Sequence, residues 1–108
     1  MSTTIHQQLE AYVTRNNFSA ESWEARGLRP SDDDVQQDMQ QAIIGFVRHL
    51  QSALRKAAPG SPELTAATQS FLEEWDTDDF DTEERDFLYD VACDIMREAG
   101  VKPEDIHI

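Results

Sequence analysis

Between Val35 and Leu54 the residues Val35, Met39, Ala42, Ile43, Phe46, Val47, Leu50, Ala53 and Leu54 recur in a 3.6-residue rhythm that lays them along one face of an α-helix. A helix with so broad an apolar face cannot stand alone in water, so the rest of the chain must supply surfaces that cover it. Its start is marked by Pro30-Ser31-Asp32-Asp33-Asp34, where Ser31 can cap free amides, Asp34 holds the capping-box position and the carboxylates oppose the helix dipole. Arg55 and Lys56 suit its C-terminal end, and the pattern predicts a stop at Pro59-Gly60.

The covering surfaces follow from the same grammar. Ile5, Leu9, Tyr12 and Val13 form a first helical line after a Ser/Thr cluster that can cap it, and Asn16-Asn17 can end it. Ala20 to Arg26 predict a short helical connector closed by Gly27 and anchored on the core by Trp23 and Leu28. Ser61-Pro62 reads as an N-cap followed by proline at the first helical position, and Leu64, Ala67, Thr68, Phe71, Leu72 and Trp75 give the buried face of the helix that follows. Asp81 or Thr82 opens a last helix, with Glu84 three residues after Asp81; Leu88, Val91, Ala92, Ile95 and Ala99 form its inner face. Gly100-Val101 fits a left-handed cap with an apolar contact back onto that helix. No alternating strand pattern or internal repeat occurs. The expected architecture is all-α: one domain over residues 1–108, a bundle of about four main helices with a short helical connector.

Charge narrows the function classes. The chain carries a formal net charge of −13, and from Phe71 to Ile108 14 acids face three bases, a net of −11 against −2 for the remainder. Such a field repels nucleic-acid phosphates and anionic membranes and attracts cationic protein surfaces or divalent metals. It also keeps a small protein dispersed, which is its plainest explanation. Cys93 is the single cysteine, which rules out an intramolecular disulfide and an all-cysteine metal site. The start, Met1-Ser2-Thr3-Thr4-Ile5-His6, has neither a basic cluster nor an apolar run, and no stretch approaches a membrane span, so a cytoplasmic location is expected.

The densest feature is nine carboxylates between positions 73 and 86, with Trp75 and Phe80 among them. A calcium loop starting at Asp76 would place Phe80 at its fifth position, Asp81 where glycine belongs and Phe87 where the bidentate glutamate belongs. Starting at Asp79, Glu84 replaces the glycine and Asp90 the glutamate, so both registers fail. Some of these acids cap the last helix; the others repel one another, which makes a cationic partner the better explanation for their number. Trp75, Asp76, Asp78, Asp79, Phe80 and Asp81 are therefore the candidate partner-binding residues, the two aromatics serving as anchors ringed by charge or else as core. Tyr89, Cys93 and Met96 form a second line on the last helix that could face a partner or simply widen its buried stripe.

Signs of catalysis are few. His6, His49 and His107 lie in no metalloprotease spacing, and neither a phosphate loop nor a nucleophile elbow is present. Cys93 reads as a packing residue. No enzyme activity, catalytic residue, metal ligand or cofactor is assigned from the sequence.

The stretch Phe80-Asp81-Thr82-Glu83-Glu84-Arg85-Asp86, continuing through Ile95-Met96 to Ala99-Gly100-Val101, resembles an uncharacterised family of short bacterial proteins. Its members carry an Asp-Thr-Glu-acid-Arg run followed by a helix ending in glycine; their serine-, glycine- and tryptophan-containing ending is absent here. The resemblance implies no activity. Within it, Arg85 is placed to bridge Asp81 or Glu84, which makes the run a structural motif. The function expected from the sequence is a small acidic intracellular protein-binding module, an immunity or inhibitor protein masking a basic effector. A nucleic-acid mimic and a divalent-metal-binding regulator are the alternatives.

Overall fold

The computed structural model describes residues 5–106, and it is all-α, with no strand among those residues. Five helices follow in order: α1 (Ile5–Thr14), α2 (Ala20–Ala25), α3 (Asp33–Ala53), α4 (Pro62–Glu74) and α5 (Thr82–Glu98), then a single 3₁₀ turn at Pro103–Asp105. The four main helices and short connector are those the periodicity predicts. The Ser/Thr cap expected before α1 and the last two positions, His107 and Ile108, lie outside the described residues.

The long helix α3 is the centre of the bundle, packing against α1, α4 and α5, while α1 also touches α5. Met39, Ile43, Phe46, Val47 and Leu50 of its stripe are buried, and Val35, Ala42, Ala53 and Leu54 lie half-buried at the edges. Leu9 and Tyr12 from α1, Leu64 and Leu72 from α4, and Phe87, Leu88, Val91, Ala92, Ile95 and Met96 from α5 complete one continuous core. The connector contributes Phe18 and Trp23, which both meet the Phe87 ring edge-on at centroid distances of 4.9 and 4.8 Å.

Helix ends account for most of the loop geometry. At the end of α1 the Asn17 side chain donates to Tyr12 O at 2.7 Å, and Gln40 of α3 donates to Tyr12 O and Arg15 O at 3.2 and 2.9 Å. Two amides thus satisfy carbonyls that the helix itself leaves open, and one of them ties α1 to α3. Ser61 accepts the Leu64 N–H, with Pro62 in the first turn of α4, as its sequence implies. Beyond α5, Gly100 N–H bonds Arg97 O at 3.1 Å and Val101 N–H bonds Met96 O at 2.8 Å, the paired pattern of a left-handed glycine cap, with Val101 buried. Gly60 and Gly100, both at positive φ, lie back to back. A β-carbon on Gly100 would stand 2.9 Å from Gly60 N.

Two boundaries differ from the sequence reading. Helix α3 ends at Ala53 rather than at Pro59-Gly60, and residues 54–57 continue as turns in which Arg55 N–H and Lys56 N–H bond Ser52 O and Ala53 O, so both bases lie beyond the helix. At its other end the residue before the helix is Asp32, without a side-chain cap; Ser31 points elsewhere.

Candidate interaction surface

The carboxylate-rich segment spans the end of α4, the connecting loop and the start of α5. Trp75 closes α4 in extended conformation, its N–H bonding Leu72 O at 3.3 Å. Asp76 Oδ1 then accepts the Asp78 N–H at 3.2 Å, and the Phe80 N–H bonds Thr77 O at 3.2 Å, so side-chain and backbone turns fold the loop tightly over a buried Thr77. Asp81 caps α5: its Oδ1 accepts the Glu84 N–H at 2.8 Å while Glu84 Oε1 accepts the Asp81 N–H at 2.9 Å, the reciprocal box that the spacing implies.

The six candidate residues separate into two sets. Asp76, Asp78, Asp79 and Asp81 are exposed together on the loop. Phe80 is not a surface anchor: it is 9% exposed and belongs to the core, because the turn that displays Asp78 and Asp79 rolls the next side chain inward. Trp75 lies between these sets, half-buried and stacked on the fully buried Phe46 at 5.6 Å, with Phe71 at 5.8 Å and Tyr89 edge-on at 5.6 Å. Phe71 in turn stacks on His49 at 4.7 Å, whose Nε2 lies 3.0 Å from Ala67 O.

The bridging role expected of Arg85 is not observed. It is exposed and makes no ion pair among the described residues; the second oxygen of Glu84 instead accepts a hydrogen bond from Ser31 Oγ at 2.6 Å. Glu84 is buried, unlike its eight acidic neighbours in the run. What ties the Asp-Thr-Glu-Glu-Arg stretch into the fold is Glu84, through Asp81 and Ser31, rather than Arg85. The sequence offered a signal for the cap and none for Ser31, which is 53 positions away.

None of the nine carboxylates between 73 and 86 forms an ion pair among the described residues. Pairs are made elsewhere: Arg26 with Asp90 at 2.7 Å, Arg48 with Glu10 at 2.6 Å and Arg97 with Asp94 at 3.0 Å. Hydrogen bonds from Arg48 hold the Glu10 carboxyl below its ordinary pKa. On the second line of α5, Met96 is core, whereas Tyr89 and Cys93 are half-buried, and burial raises the Cys93 thiol pKa. Among the described residues no three histidine, cysteine, aspartate or glutamate side chains gather so as to hold a metal ion, and no helix is long and apolar enough to cross a membrane.

Comparison with known proteins yields no match among curated proteins or solved structures. The model of the family described as "Domain of unknown function (DUF4844)" matches residues 1–108, the whole chain. The bundle, its boxed and glycine-capped last helix and its acidic loop are therefore those of a member of the DUF4844 family.

Proposed function

We propose that this protein is a binding module, with no catalytic role, whose acidic α4–α5 segment docks on a basic protein, most concretely as an immunity or inhibitor protein that masks a cationic effector inside a bacterial cell. One observation carries the reading. The side-chain carboxylates of Glu74, Asp78, Asp79 and Asp86 are exposed and take part in no hydrogen bond or ion pair among the described residues. Their mutual repulsion gives the fold nothing in return, and a positively charged partner would relieve it. Electrostatic complementarity of this kind accelerates association and makes it salt-sensitive. A nucleic-acid mimic would use the same carboxylates, but no feature of their geometry favours it; for the metal-regulator alternative no ligand set is assembled among the described residues.

The test is affinity capture at low ionic strength from the native host, with the wild-type chain and Asp76→Asn/Asp78→Asn/Asp79→Asn as baits. The expected result is a stoichiometric basic protein that is retained by the wild type, lost from the triple variant, and inhibited when bound. Equal recovery on both baits would remove the acidic loop from the interface. Recovery of no partner would sink the reading, and displacement of the partner by duplex DNA would shift it to the mimic.

A further inference from the structure

We infer that the half-exposed aromatic seam of Phe71, Trp75 and Tyr89 is the specificity element of that surface, and that it receives arginine side chains of a cationic partner in preference to lysine. The inference rests on the proposed function and names the chemistry by which the same surface would choose its partner.

The seam is set by α4 and α5 over a buried floor. Phe46, fully buried, supports Phe71 and Trp75 from below at 5.5 and 5.6 Å, and the Tyr89 ring meets the indole at 86°. Phe71, Trp75 and Tyr89 are all partly exposed, with His49 already stacked on Phe71 at 4.7 Å. Carboxylates adjoin them in the chain: exposed Glu74 and Asp76 flank Trp75 at the end of α4, and exposed Asp86 lies one turn before Tyr89, whereas Asp90, the residue after Tyr89, is already paired with Arg26. A second copy of the chain is a poor occupant, since both partners would carry −13.

The choice of arginine follows from how the chain covers its other rings of this kind. Arg26 lies over Phe87 at 4.5 Å while its NH1 reaches Asp90 at 2.7 Å. Arg15 lies over Tyr12 at 4.2 Å while its Nε donates to Asn17 Oδ1 at 2.9 Å. Each pairs a guanidinium face on a ring with an oxygen acceptor at its edge. Trp75 and Tyr89 have the exposed, ion-pair-free carboxylates of Glu74, Asp76 and Asp86 as near neighbours along the chain, and no cation of the chain lies over either ring among the described residues. A planar guanidinium can stack and donate in its plane at once; a lysine ammonium is a hydrated point charge without a stacking face.

The experiment titrates nona-arginine and nona-lysine peptides into the wild type and into Trp75→Leu and Tyr89→Leu, each checked by circular dichroism for an intact helical fold. In the wild type the arginine peptide should bind about five-fold or more tightly than the lysine peptide. Either variant that retains the fold should narrow the ratio to about two-fold or less, with lysine-peptide affinity unchanged. Equal affinities in the wild type, or a preference that persists in a folded variant, would overturn the inference while leaving a cation-binding acidic surface in place. Failure of both peptides to bind at low salt would overturn the inference together with the proposed function beneath it.

Discussion

Ser31 Oγ donates a 2.6 Å hydrogen bond to Glu84 Oε2, joining the chain entering α3 to the first turn of α5. The same carboxylate closes the capping box on Asp81 N–H with its other oxygen. One buried acid therefore satisfies a helix terminus and fixes how that terminus meets the central helix. Without such partners, a carboxylate at 8% exposure would be strongly disfavoured.

Glu84→Ala is expected to lower stability by about 1.5–3 kcal/mol, because it removes charge-assisted hydrogen bonds at a buried position. Ser31→Ala should cost less, and the double variant should fall short of the sum of the two, since both delete the same contact. Urea unfolding of the four proteins provides the cycle; strict additivity would show that the bond contributes nothing in solution.

The two glycine loops that meet at Gly60 and Gly100 set a different expectation. Gly100→Ala forces a side chain into φ +83° and brings its β-carbon within 2.9 Å of Gly60 backbone, so the loss should exceed the roughly 1–2 kcal/mol of left-handed strain alone. Gly27→Ala, at φ +76° with nothing within 4 Å, should show only that strain. Gly45, inside α3 and facing open space, should behave oppositely, gaining about 0.5–1 kcal/mol as alanine. Thermal melts of the three variants test the order; a Gly100→Ala protein no weaker than Gly27→Ala would mean that the loops do not touch.

Neighbours in the acidic loop should separate cleanly by role. Phe80→Ala removes a buried ring and is expected to cost about 3 kcal/mol. Asp78→Asn/Asp79→Asn should leave stability within about 0.5 kcal/mol or raise it slightly, because the charges removed are exposed and repel their neighbours. Chemical denaturation and partner binding should then report opposite patterns, with stability lost in the first variant and affinity lost in the second.

Helix identity was written locally. The stripe from Val35 to Leu54, the Ser61-Pro62 start, the Asp81–Glu84 box and the Gly100-Val101 cap each depend on neighbours within a few residues, so periodicity and cap chemistry sufficed to place four main helices and the connector. The end of α3 was less legible, because Arg55 and Lys56 suit a last helical turn and a following loop equally well. What only the folded chain decided were the relations between helices. Phe80 went into the core because a turn at Thr77 aims it there; Ser31 left its cap because Glu84 lies within reach; and Trp75 came to rest between Phe46 and Tyr89. No short-range rule distinguishes a buried carboxylate from an exposed one in so dense an acidic segment. That distinction is a property of what packs above it, and packing is fixed only when all the helices are assembled.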